Sequence, residues 1–143
     1  MDHGMLRPVV ALVAWTIVML VWMLATRLPA MRSAGINLGK LVGTKAADAD
    51  RSLPPAIQWK AHNYNHLMEQ PTLFYAICLV IAFTGTGFAA NVVLAWAYVG
   101  LRIAHSIVQA TVNRVRLRFM LFLLSSLCLA ALTLHAGMAV FHG

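Results

Sequence analysis

Acidic residues are what this sequence has least of: four in 143 positions, against eleven lysines and arginines. Charged residues of both signs make up 10% of the chain, where a water-soluble domain carries roughly a quarter. So little charge cannot cover a surface that faces water, and a soluble fold is excluded. Cysteine is scarce as well. Cys78 and Cys128 lie far apart in sequence, without the short spacing of a zinc or dithiol motif. The six histidines form no HExxH motif, so no protein-bound metal is expected. Also missing is the alternation of apolar and polar residues that a membrane barrel requires. No soluble domain and no basic patch interleaved with aromatics is present, and nucleic acid is not expected as a partner.

What the chain has is apolar length. Hydrophobic residues make up 61% of it and the mean hydropathy is +0.76. Four apolar segments stand out, at about 8–28, 71–90, 92–112 and 117–141, each near the roughly 20 residues that cross a bilayer as a helix. Backbone groups in hydrocarbon must bond internally, which favours helices. The expected fold is therefore all-α, an integral membrane four-helix bundle forming a single domain over 1–143. Its helices span about 8–28, 57–90, 92–112 and 115–141. The first segment is too long for a signal-peptide core and no small-x-small cleavage site follows it, so it is expected to be retained. Pro8 suits a first helical position, and Trp15 and Trp22 share a face as packing residues.

Basic residues set the orientation. Arg27, Arg32, Lys40, Lys45, Arg51 and Lys60 flank or occupy the loop after the first helix, and Arg114, Arg116 and Arg118 surround the turn before the last. The opposite side has Arg7. This asymmetry places both basic loops in the cytoplasm and both termini outside, with an attraction to anionic lipid head groups. The loop at about 30–56 is rich in small and charged residues and ends in Pro54-Pro55, the composition of a mobile connection. Asp48 and Asp50 are expected to be solvated. No internal repeat supports an inverted-repeat transporter.

Two polar stripes interrupt the apolar pattern. On a helix, Arg102, His105, Ser106, Gln109 and Asn113 fall on one face. Arg102 is near mid-helix, where a charge facing lipid costs at least about 2.5 kcal/mol, so it must face a partner or a wet cavity. At the start of helix two, His62, Asn65, His66, Glu69 and Thr72 form a second stripe. Glu69 is the one acidic residue in or beside a spanning segment, and Pro71 is expected to loosen the helix just after it. The stripes are expected to meet in the cytoplasmic half, with Glu69 paired to Arg102. That pair has two readings, an ion pair fixing helix register or a ligand site. Arg116 reads as an anchor snorkelling to phosphates. Arg118 shares a face with Arg114 and is open to both an anchoring and a functional role.

The stretches "NYNHLMEQPTLFYA" and "AWAYVGLRIAHSIVQATVNRVRLRF" resemble the MAPEG family, membrane-associated proteins of eicosanoid and glutathione metabolism. The R-x-x-H pair Arg102 and His105, with Arg118 sixteen residues after the first, carries most of the likeness. The pattern Asn63-x-Asn65-x-x-x-Glu69-x-Pro71 is similar to a bacterial branch, which implies an inner-membrane protein with four spans. The resemblance implies a homotrimer that binds glutathione, as co-substrate, between subunits near the cytoplasmic face. It implies Asn65, Glu69, Arg102 and His105 as glutathione contacts, with Arg114 beside them, and Arg118 as the catalytic residue facing the thiol. Three positions depart from better-known members. Asn65 and Glu69 are four apart rather than three, which would put His66 in the asparagine's place. Gln109 stands where a tyrosine is common, and Phe122 replaces a second aromatic hydroxyl.

The charge pattern suits that ligand. Glutathione has two carboxylates, an ammonium and a thiol, so a pocket for it needs basic groups, one acid, and a cation to favour the thiolate. The expected function is a glutathione-dependent transferase or peroxidase acting on a lipophilic electrophile. Two alternatives stand beside it: a non-catalytic lipid-binding or scaffolding protein, and a small proton-coupled transporter using Glu69. The topology is directly testable. A cysteine placed at Ala46 should resist a membrane-impermeant thiol reagent added to intact cells; labelling from outside would reverse the assignment.

Overall fold

The computed structural model describes residues 3–142, with the side chain of Ala46 left out. It is helical, and among the described residues there is no strand. Helix α1 runs His3–Ser33, α2 Pro55–Leu67, α3 Pro71–Thr84, α4 Ala89–Ala110 and α5 Val115–Phe141. The helices α1, α4 and α5, and α2 with α3 as one interrupted unit, are each long and apolar enough to cross a membrane. The protein is a four-span helical membrane protein.

Helix α1 exceeds its expected 8–28 limits. Its 31 residues reach roughly 46 Å at 1.5 Å per residue, beyond the roughly 30 Å hydrocarbon core, so its ends enter the interfaces. The second span is not one helix over 57–90. Pro71 has no N–H to give, and its ring clashes with the carbonyl four residues back. The helix therefore ends at Leu67 and restarts with Pro71 at its first position. The span also stops early, at Thr84. Gly85 caps it in the left-handed conformation (φ 69°) and its N–H bonds to the Ile81 carbonyl. Residues 89 and 90 already belong to α4.

Helix α1 packs on α2, α3 and α4, and α5 packs on α4 and α3, with α4 and α5 in the most extensive contact. Leu12, Met19, Phe74, Ile81, Tyr98 and Leu132 fill the core. The Phe74 and Tyr98 rings stack with centroids 4.3 Å apart. Cys78 is fully buried and Cys128 partly so, both as free thiols. Large apolar side chains such as Val10, Val21, Leu127 and Leu134 point outward, as they must when lipid is the solvent.

Polar contacts pin the spans at defined heights. The Ser106 hydroxyl of α4 accepts from Trp15 Nε1 of α1 at 2.9 Å and from Asn63 Nδ2 of α2 at 2.7 Å. One hydroxyl thus joins three helices. Lys60 lies over the Trp22 ring at 5.2 Å and its Nζ donates to the Ala110 carbonyl at 3.5 Å, placing a cation at the C-terminus of α4. The long loop is tied down rather than free. It makes two 3-10 turns, Leu38–Lys40 and Ala46–Arg51, and Asp48 Oδ2 accepts from the Lys45 N–H at 2.8 Å. Asp50 is not simply solvated. Its Oδ1 accepts from Gln58 Nε2 at 2.9 Å and lies 2.9 Å from His62 Nε2, so one carboxylate grips successive turns of α2.

Ser106→Ala leaves one buried donor, Asn63 Nδ2, and one part-buried donor, Trp15 Nε1, without their acceptor, at about 1–3 kcal/mol for each orphaned group. We expect a lowered midpoint of unfolding in detergent. A cycle with Asn63→Ala should be non-additive by more than about 0.5 kcal/mol.

Candidate functional site

The break at Pro71 creates one half of the site. In a continuous helix the His66 carbonyl would accept from residue 70. With the ladder interrupted it accepts from the Glu69 N–H at a long 3.4 Å and from Arg102 Nη2 at 3.2 Å. Arg102 is fully buried, at 0% exposure. Its Nε and Nη1 have no hydrogen-bond partner in the chain, and its guanidinium carbon lies 6.0 Å from the Phe122 ring centre. A buried guanidinium with open donors is costly unless an acceptor reaches it.

The other half comes from the turn between α4 and α5. Asn113 adopts the left-handed conformation (φ 49°), which asparagine tolerates better than most residues. Its Oδ1 accepts from Arg118 Nη1, holding that side chain against the first turn of α5. Arg118 Nε is buried without a partner. Between the halves lies a cleft of about 230 Å³ lined by His66, His105, Val115, Arg118, Phe119 and Phe122. The His66 ring is 4.9 Å from His105 and 5.7 Å from Phe122, centre to centre.

The sequence-predicted residues separate on this frame. His105 and Arg118 line the cleft, and Arg102 lies behind it. Glu69 does not pair with Arg102 within the chain. Its Oε2 lies 3.0 Å from His66 Nδ1 and its side chain is 68% exposed. The expected pairing assumed an unbroken helix two; once the helix ends at Leu67, Glu69 follows the turn outward. Asn65 is exposed and lines a different pocket with Arg27, Asp50 and His62. Arg114 is exposed as the cap residue of α5, its backbone carbonyl accepting from the Arg118 N–H. Arg116 is exposed too.

The buried asparagine of α2 is Asn63, which the stripe did not include. It is buried, as are Gln58, Ala61 and Leu67 of the same helix, and its Oδ1 has no partner. His66, a member of the helix-two stripe, and Phe122 also line the cleft, though neither was among the expected site residues. The i, i+3 spacing of His66 and Glu69 is the signal that could have marked the first of them. His62 and His66 stand one turn apart, a spacing that can hold a metal, but they face Asp50 and Glu69 respectively. Among the described residues no three His, Cys, Asp or Glu side chains converge.

Chemically, the cleft offers the Arg118 guanidinium with one open donor, two imidazoles and aromatic walls, with the open donors of Arg102 buried behind it. That combination accepts an anionic ligand with an apolar portion. The left-handed residue supporting it gives a test. Asn113→Ala should cost up to about 1–2 kcal/mol, because alanine keeps the Cβ that crowds the carbonyl in this conformation and lacks the amide by which asparagine offsets it, whereas Asn113→Gly should restore most of the stability while still lacking the acceptor for Arg118. Thermal unfolding of the two variants in detergent separates strain from the lost hydrogen bond.

Compared with known proteins, the chain matches the model of the MAPEG family over residues 5–138. No curated protein matches it, and no solved structure does.

Proposed function

The chain belongs to the MAPEG family, and on that premise we propose that it is a glutathione-dependent transferase or peroxidase acting on lipophilic electrophiles from the bilayer. The observation that carries this reading is the pair of guanidinium groups with buried unpartnered N–H donors, Arg118 lining the cleft and Arg102 buried behind it. Donors left open at membrane depth call for an anion, and glutathione brings two carboxylates and a latent thiolate. Arg102 takes a carboxylate through Nε and Nη1. Glu69 has its second oxygen free of His66 and takes the ammonium. Arg118 faces the sulfur. A free thiol is only a few per cent ionised at neutral pH, and a guanidinium in a partly shielded site favours the anion, which is the nucleophile. The aromatic walls, Phe119 and Phe122, give the electrophile an apolar approach from lipid.

The cleft's size supports a shared site. About 230 Å³ falls below the roughly 300–1,000 Å³ of a ligand pocket, so one chain encloses only part of the tripeptide. We propose a homotrimer in which a neighbouring subunit completes the pocket, and in which the exposed Asn65, Glu69 and Arg114 meet glutathione across the subunit boundary. Both basic loops then lie in the cytoplasm, with the termini outside, in a bacterial inner membrane. One feature favours a second, non-catalytic reading: Phe122 stands in the cleft where a hydroxyl could have assisted the sulfur.

Glutathione titrated into detergent-purified protein should produce the ultraviolet absorbance of a thiolate near neutral pH. Arg118→Ala should abolish that signal while leaving binding. Arg102→Ala should weaken binding by roughly ten- to a hundredfold, the value of a charge-assisted hydrogen bond. Arg116→Ala, on the exposed face, should change neither. Binding without thiolate in the unaltered protein would favour the lipid-binding or scaffolding alternative.

A further inference from the structure

Among the residues lining the cleft, His66 is the one tied to a carboxylate. Glu69 Oε2 can only accept, so the hydrogen of the neutral ring lies on Nδ1 and the lone pair on Nε2. The imidazole is thereby held in one tautomer at the end of α2, with its ring against His105 and Phe122. The charged groups acting on it are Arg102 from α4, Arg118 from α5 and Glu69 from its own segment. His105 is the other imidazole of the cleft. Its charged and titratable neighbours are Arg102, Arg118 and His66, with no carboxylate among them. A proton placed on His105 would stand among cations, whereas a proton placed on His66 has Glu69 to balance it.

We propose that His66 is the general base that takes the thiol proton of bound glutathione, with Glu69 as the positioning residue that fixes its tautomer and offsets its charge. This rests on the thiolate reading above and adds the destination of the proton. In the step, the S–H bond breaks and its electron pair stays on sulfur beside Arg118. The proton bonds to Nε2 of His66. A neutral thiol and a neutral imidazole become a thiolate and an imidazolium, with no other reactant. The arrangement also gives a physical reason for the spacing in this chain. A histidine three residues before the acid reaches it within the turn, as the 3.0 Å contact records, while Asn65 points to another pocket.

The test counts protons. Full-length protein in detergent and weak buffer is mixed with glutathione, with thiolate absorbance and a pH indicator followed together. In the unaltered protein the proton stays on His66, so the release is well below one proton per thiolate. In His66→Gln the release should rise to a full proton per thiolate, and thiolate formation should slow by roughly 100-fold or more, the usual contribution of a positioned base. Glu69→Gln should move both readings the same way by less. A merely structural role for His66 would not alter the proton count. Thiolate with a full proton released from the unaltered protein overturns the assignment and leaves the thiolate reading intact. No thiolate at all overturns both. A count that rises in His105→Gln and not in His66→Gln moves the base to His105 and overturns the assignment to His66. The count on the unaltered protein decides even where a variant fails to fold.

Discussion

The burial of Arg102 is the constraint around which the rest of the bundle is arranged. A guanidinium has five donors and no way to lose its charge, and α4 carries it into the centre of an apolar helix. Facing lipid, it would cost several kcal/mol. The chain responds by making α4 the innermost span, with α1, α2 and α5 packed against it and the Phe74 ring of α3 stacked on its Tyr98. It also supplies one backbone acceptor, the His66 carbonyl. That acceptor exists because Pro71 interrupts the helical ladder. A residue that reads as a helix breaker is thus what lets a buried arginine be partly satisfied.

The satisfaction of Arg102 is only partial. A protein built only for stability would close every donor on Arg102, since replacing an ion network by packed apolar residues is often neutral or favourable. Here Arg102 keeps two open nitrogens and Arg118 one, Arg118 lining a cleft of about 230 Å³ and Arg102 buried behind it. The same logic separates Arg118 from Arg114 and Arg116. All three belong to the basic edge of the last helix, but Asn113 holds only Arg118 inward.

Much of the fold was legible in the sequence because hydrophobicity in lipid is a one-dimensional signal. Segments near 20 apolar residues can cross a bilayer in one way, so α1, α4 and α5 were readable to within a few residues at their ends. The stripe of α4 was readable too. Arg102, His105, Ser106 and Gln109 are all buried, because the period of a straight helix fixes which residues share a face. Helix two was harder for the same reason. The stripe from His62 to Thr72 assumed a continuous helix, and the break after Leu67 removed the phase relation between its two ends. Glu69, beyond the break, found His66 instead of Arg102, and within α2 it is Asn63 rather than the expected Asn65 that is buried.

By itself, then, the sequence determined that the protein lives in a membrane as four helical spans, and that one face of α4 must be hidden from lipid. Those are consequences of composition and of a regular period, which need no knowledge of neighbours. Tertiary structure decided which polar groups meet across the chain: Ser106 with Trp15 and Asn63, Asp50 with Gln58 and His62, and the cleft between His66, His105 and Arg118. Each of these joins residues whose approach depends on where a helix stops and how the next one is rotated. The stopping points are set locally, by Pro71, Gly85 and the left-handed Asn113, but the rotation is set by packing against helices distant in sequence, and no local pattern encodes it.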